Sequence, residues 1–409
     1  MPKRWKVAMQ DFEECIASQP NRPRLMRYFD SPILEGHEVH VKELLDKKSK
    51  GNKILGTFCI YVPEEIVLAV DASSIALCGG TQVSIPYAES ILPRDICPLI
   101  KSTFGLMLGN MCPYFSVVDM TVGETTCDGK KKAWEILNCY KPTYVMEVPQ
   151  KKQETDKRLW LEEVRLFQEK IEELSGKKVT FENLMRSVKI MNRKRQALSE
   201  MHSFRKNFEI PISGTDALLV TQVSLFDEPE RFIQRVEALN RELKSRVDKR
   251  IKVFPDSAKR IMIAGCPSVA PNWKIHHLVE TLGASVVCDE TCTGYRYYAN
   301  LVDENASNLE ELLQKIAERY MQINCSCFTP NEERTQQVIN LVKEYNVDGV
   351  IQYVLQYCHG YNMEAVKLEQ ELRSLKIPVL KLETDYSDED IQPLKIRVEA
   401  FLEMLAAGD

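Results

Sequence analysis

Short apolar runs alternate with helix-like segments along two stretches of this chain, and a highly charged helical stretch separates them. Residues 1–50 read as a polar, helical lead-in broken at Pro20, Pro23 and Pro32. From Lys53 the texture changes. Ile54-Leu55-Gly56-Thr57 reads as a strand. Pro63-Glu64-Glu65 then opens a helix, because proline suits a first turn and carboxylates oppose the positive end of the helix dipole. Ser74 to Leu77 is expected as a short buried strand ending at Cys78, Val117 to Val122 as another, and Lys130 to Asn138 as a helix. Tyr144 to Pro149 closes the unit.

Residues 151–250 are rich in Glu, Lys, Arg and Leu, with Leu159, Val164, Phe167, Ile171 and Leu174 at helical spacing. Charge runs of that kind are the solvated faces of helices. Near Arg260-Ile261-Met262-Ile263-Ala264-Gly265-Cys266-Pro267 the alternation returns and repeats the order of the first half. A helix runs through Ile275 to Leu282, and Val286-Val287-Cys288 ends a second strand. Asp348-Gly349-Val350-Ile351 parallels Asp119-Met120-Thr121-Val122, Cys358 parallels Cys127, and Pro378 to Glu383 parallels the strand at Tyr144.

Strands alternating with helices imply parallel sheets. The expected fold is therefore α/β: two related Rossmann-like parallel-sheet domains with an additional helical region. The expected boundaries are 1–50 for the lead-in, 51–150 for the first α/β domain, 151–258 for the helical region and 259–409 for the second α/β domain. Ligands of open parallel sheets bind beyond the carboxyl ends of the strands, so a site between the two units is expected.

Composition narrows the function. Hydrophobic residues make up 44% and charged residues 28% of the 409 positions, as in a globular protein. A formal net charge of −5 argues against nucleic-acid binding. The basic Met1-Pro2-Lys3-Arg4-Trp5-Lys6 is followed by Asp11, Glu13 and Glu14 rather than by a signal-peptide core. The longest apolar stretch, Ile66 to Cys78, contains Asp71 and two serines and is too short to span a bilayer. A cytoplasmic protein with no membrane partner is expected.

Thirteen cysteines stand out against that background. A reducing compartment keeps thiols free, so cysteines in such number point to metal or redox chemistry. Several lie beside Gly, Pro or Asp at the ends of apolar runs: Cys78, Cys97, Cys112, Cys127 and Cys358. Cys127 and Cys358 each follow a strand and precede a helix, where backbone N–H groups and the dipole favour a thiolate and lower its pKa. Zinc is disfavoured: there is no Cys-x-x-Cys, and the close pairs Cys288/Cys292 and Cys325/Cys327 lack a distal pair at the usual spacing. Adjacent His276 and His277 point in different directions on a helix. Gly123 to Lys131 misses the phosphate-loop pattern, with five residues between the glycines and a lysine where Ser or Thr is required. Glu64 and Glu65 are acid/base candidates whose helix-start position explains them without catalysis. Dispersed cysteines from both halves suit an iron–sulfur cluster.

Four segments carry a family resemblance: Val62-Pro63-Glu64-Glu65, Leu92-Pro93-Arg94-Asp95-Ile96-Cys97, Gly123 to Lys132, and Gln356-Tyr357-Cys358-His359-Gly360-Tyr361. They resemble the 2-hydroxyacyl-CoA dehydratase family, which also contains benzoyl-CoA reductase subunits, over roughly residues 50–405. The resemblance implies a [4Fe-4S] cluster held by three cysteines from both α/β domains, here Cys97, Cys127 and Cys358. The surplus of loop cysteines makes the chain most similar to the double-cubane cluster proteins of that superfamily. Those carry an [8Fe-9S] cluster on six cysteines, form homodimers, and receive low-potential electrons from an ATP-hydrolysing iron–sulfur activator that is itself a homodimer. The six expected ligands are Cys78, Cys97, Cys112, Cys127, Cys325 and Cys358, with Cys292 and Cys327 in reserve. Cys15, Cys59 and Cys139 are expected to be structural.

The function so implied is an iron–sulfur reductase component acting on a small substrate. One alternative is a subunit of a 2-hydroxyacyl-CoA dehydratase that works by ketyl-radical dehydration. Another is a non-enzymatic electron-storage protein.

Overall fold

A computed structural model describes Ile16, residues 18–34 and residues 37–408. Cys15 lies outside the described residues, as does most of the stretch before Pro20. Among the described residues, eight strands form two separate sheets of four: β1 Ile54–Thr57, β2 Ser73–Ala76, β3 Met120–Glu124 and β4 Thr143–Met146, then β5 Arg260–Gly265, β6 Ser285–Glu290, β7 Gly349–Leu355 and β8 Val379–Thr384. The orders are β2-β1-β3-β4 and β6-β5-β7-β8, and every pairing is parallel. The two halves thus share one topology, and the α/β class and the doubling expected from the sequence are both present.

The parallel between Asp119 and Asp348 extends to single hydrogen bonds. The Asp119 carboxylate accepts from the Ile54 N–H at 2.8 Å, and the Asp119 N–H donates to the Ile54 carbonyl at 2.8 Å. Asp348 accepts from the Arg260 N–H at 2.6 Å and donates its own N–H to the Arg260 carbonyl at 2.8 Å. One aspartate thereby sets the register at the start of the central strand pair in each sheet. It also explains why the strand expected from Val117 begins at Met120: residues 113–117 form a turn, and Asp119 closes it onto β1.

Between the sheets run the helices Glu154–Ser175, Phe181–Ser203, Gly214–Ser224 and Pro229–Asp248. The first buries Trp160, Val164, Phe167 and Ile171, spaced for one face of a helix. Leu159, expected in that stripe, is instead 47% exposed, because Trp160 takes the core position. Every residue of Gly214–Ser224 is buried. Pro32, expected to break the chain, lies inside the helix Met26–Leu34, close to its end.

The halves are tied through the short helix Glu64–Ala69. Glu65 is fully buried, lies 2.6 Å from the Arg195 guanidinium and accepts from the Tyr320 hydroxyl at 2.8 Å. Burial opposes its ionisation, but Arg195 and Arg319 outweigh burial and hold the carboxyl below its ordinary value. Tyr61 donates to the Ile323 carbonyl at 2.8 Å across the same seam. Glu64 accepts from Tyr297 at 3.1 Å and from Lys194 at 3.3 Å. Glu65 is therefore a structural anchor rather than an acid/base group. His276 is likewise a core residue, paired with Asp289 at 2.5 Å, while Asp289 also holds the buried Arg205 at 3.1 Å.

Removing one partner of a buried ion pair leaves the other charge uncompensated, which costs about 3–5 kcal/mol. Glu65→Gln is expected to lower the unfolding free energy by that amount in urea titrations. Buried His40 supplies a pH test. Desolvation depresses its pKa to about 4 against the opposing pull of Asp227 and Glu43, with Arg231 and Lys47 adding to the depression. The unfolded chain protonates this ring near pH 6.5 while the native state keeps it neutral. Its contribution is complete above that pH and is lost as pH falls, by about 2 kcal/mol at pH 5. His40→Asn should flatten the stability–pH curve between pH 7 and pH 5.

Candidate metal centre

The carboxyl ends of both sheets open onto one cavity of about 700 Å³. Ten of the thirteen cysteines line it: Cys59, Cys78, Cys97, Cys112, Cys127, Cys266, Cys292, Cys325, Cys327 and Cys358. The six ligands expected from the sequence and both reserves are among them. Cys59, expected to be structural, is also on the wall, and so is Cys266. Cys139 is exposed just past the far end of the helix Asp128–Leu137, and Cys288 is buried inside β6.

The duplicated topology accounts for most of these positions. Cys59 follows β1 and Cys266 follows β5; Cys78 follows β2 and Cys292 follows β6; Cys127 follows β3 and Cys358 follows β7. Cys97 precedes the helix Pro98–Leu108, and the Cys325/Cys327 pair precedes the helix Glu332–Glu344. The position just past a strand, repeated in both halves, was the signal that could have found Cys59 and Cys266. Cys112 follows the helix Pro98–Leu108 and, among the described residues, has no counterpart in the second half.

Three of the thiols sit at helix starts. Cys97, Cys127 and Cys358 are the residues immediately before the helices Pro98–Leu108, Asp128–Leu137 and His359–Ser374. The Cys127 sulfur accepts from the Lys130 N–H at 3.4 Å. Tyr357 turns the chain ahead of Cys358 with φ 58°, and its hydroxyl donates to Asp95 at 3.0 Å, across the mouth between the halves.

Helix starts were expected to lower the thiol pKa, but burial prevails. Desolvation and the neighbouring Cys358 push Cys97 up to about 12. Cys127, although exposed at the surface, is also raised by partial desolvation, against the pull of Lys130. Burial takes Cys78 to about 12, and its S–H donates to the Phe58 carbonyl at 3.2 Å. The exception is Cys325, brought down to about 6 because the Cys327 thiol donates to it and Arg296 lies nearby. In the bare protein most of the wall is thus neutral thiol, and converting it to thiolate requires positive charge inside the cavity.

The thiols fall into two neighbourhoods. Cys97, Cys127, Cys266 and Cys358 interact with one another: Cys358 lies close to Cys266 and raises it together with Cys97 and Cys127. Cys59, Cys292, Cys325 and Cys327 form the second, with Cys78 facing Cys292. Cys112 has the Tyr114 and Phe115 backbone beside it. Tyr114 also joins His37 at 2.8 Å and His40 at 3.1 Å, a buried chain of polar side chains not foreseen from the sequence.

Among the described residues no three His, Cys, Asp or Glu side chains converge closely enough to hold a single metal ion. The thiols are instead spread over the wall of a cavity large enough for a group of several atoms. An all-sulfur donor set from both halves is the chemistry that iron–sulfur clusters require, so the residues present fit such a group. Gly123 to Lys131, rejected as a phosphate loop, builds part of the wall with Cys127 and Lys130.

Among the described residues no helix is long and apolar enough to cross a membrane. The pattern of the 2-hydroxyglutaryl-CoA dehydratase D-component family matches residues 59–405. The chain is similar to YjiM of Escherichia coli strain K12, a dehydratase subunit by name, at 34% identity over 91% of this chain and 96% of the relative. It is similar to the (R)-phenyllactyl-CoA dehydratase beta subunit of Clostridium sporogenes at 22% identity, over 91% and 96% of the two chains. It is similar to a benzoyl-CoA reductase subunit of Thauera aromatica at 20% identity, over 86% and 91%. With a match across nearly its whole length, the chain belongs to the 2-hydroxyacyl-CoA dehydratase family, which includes the benzoyl-CoA reductase subunits.

Proposed function

We propose that this protein is an iron–sulfur reductase component that acts on a small substrate at an [8Fe-9S] double-cubane cluster. The observation that carries the reading is the set of ten cysteines, drawn from both sheets, on one cavity wall. The two thiol neighbourhoods supply more than the three ligands a single cubane needs. Cys97, Cys127 and Cys358, joined by Cys266, would hold one part of the group. Cys325 and Cys78, with Cys59, Cys292 and Cys327 beside them, would hold the other. Cys112, the sixth ligand expected from the sequence, is the one least supported by its surroundings.

When bound, such a cluster supplies low-potential electrons. The chain's own residues hold it and shape the space around it. Leu99, Ile100, Leu106 and Val269 give part of the cavity an apolar wall. Glu64 also lines the cavity, held by Tyr297 and Lys194, and brings a carboxylate to it. In this reading the electrons come from an ATP-hydrolysing iron–sulfur activator, and the protein works as a cytoplasmic homodimer under anaerobic conditions.

The names of the relatives favour a second reading. Several are beta subunits of acyl-CoA dehydratases, which points to a [4Fe-4S] subunit acting with a different partner chain on a 2-hydroxyacyl-CoA.

Iron and acid-labile sulfide per chain, measured on anaerobically purified protein, separate the two. About eight irons support the double cubane and about four the dehydratase subunit; zinc in place of iron removes both. Single alanine variants map the ligands. Cys127→Ala and Cys358→Ala should lose at least half of the iron, Cys139→Ala none. Iron loss in Cys59→Ala and Cys266→Ala, with none in Cys112→Ala, would move the ligand set to the cysteines that follow β1 and β5.

A further inference from the structure

Lys130 is a lysine in a wall of thiols. Its side chain is 14% exposed, and it is ion-paired to Glu124, which is fully buried at the end of β3. The Thr126 hydroxyl donates to the same Glu124 oxygen at 3.0 Å, and the second carboxylate oxygen has no hydrogen-bond partner among the described residues. The ammonium lines the cavity and lies within electrostatic reach of Cys59, Cys78, Cys127, Cys292 and Cys325, thiols from both halves and both neighbourhoods. Burial works against its charge, and the ion pair with Glu124 outweighs it. Arg296 approaches Cys266, Cys292 and Cys325 from the second half, and like Lys130 it is held by a buried carboxylate, Glu290, as well as by the Gly265 carbonyl.

Crowded thiolates repel one another, and a cluster bound to them becomes more negative with each electron it takes. A fixed cation in a desolvated wall offsets that charge more strongly than one in water. We propose that Lys130, oriented by Glu124, is the positioning residue that balances the charge of this cavity, stabilising the thiolate ligands and setting how readily the cluster they hold accepts an electron from a low-potential donor. The proposal rests on the cluster reading above. It assigns opposite effects to the two members of one ion pair, which a merely structural pair would not show.

The test is a redox titration, followed by electron paramagnetic resonance, of anaerobically purified protein, with iron per chain measured on each sample. Lys130→Gln should shift the midpoint potential negative. Glu124→Gln, which keeps the lysine and removes its counter-charge, should shift it positive. Each shift should reach about tenfold in the reduced-to-oxidised ratio, or about 59 mV for one electron. Lys130→Arg should stay near the wild type, and the double variant should fall between the singles. If Lys130→Gln retains no cluster, Glu124→Gln and Lys130→Arg still decide the matter. Wild-type iron content with unmoved midpoints, or with both singles shifted the same way, overturns the role of Lys130 alone. Wild-type protein without iron overturns the cluster reading and this proposal with it.

Discussion

The buried contact among Glu65, Arg195 and Tyr320 fixes how the two sheets face each other, and the cavity depends on that facing. Glu65 comes from the first half, Arg195 from the long helix between the halves, and Tyr320 from the second half. Burying a carboxylate and a guanidinium is costly unless each satisfies the other. The seam is therefore intolerant of displacement in a way that apolar packing alone is not. With it closed, the carboxyl ends of both sheets open onto one space, and thiols far apart in the chain share one wall.

Duplication gives that wall its order. The same aspartate clamp starts the central strand pair in both sheets, and a cysteine stands within three residues of the end of three successive strands in each. Parallel sheets bring all strand ends to one edge, so any residue just past a strand is delivered to the site. The two halves are not equivalent in charge. The first contributes Lys130 with its buried partner Glu124, while the second contributes Arg296 bound up with Glu290 and packed over Tyr361. The cavity thus has like ligands on both sides but an asymmetric field.

Cys127 and Cys358 were legible because each stands between a strand and a helix in a segment whose order repeats. Cys59 and Cys266 were not, because their significance lies in an offset from strand ends that the apolar pattern locates only to within a few residues. The expected fall in thiol pKa at helix starts rested on local geometry, whereas desolvation in the folded protein prevails. Leu159 and Trp160 are neighbours in sequence, and helical spacing alone could not say which faces the core.

The chain by itself determined the α/β class, the doubling of one topology and the family, since these follow from the periodicity of apolar runs and from local motifs. Tertiary structure decided the rest: which thiols share a neighbourhood, that Glu65 is an anchor and not an acid, and that Lys130 points into the cavity. Those outcomes depend on burial and on charges brought together from more than a hundred residues apart. Electrostatic energy depends on distance in space and on the surrounding medium, and a linear sequence specifies neither until the halves have packed.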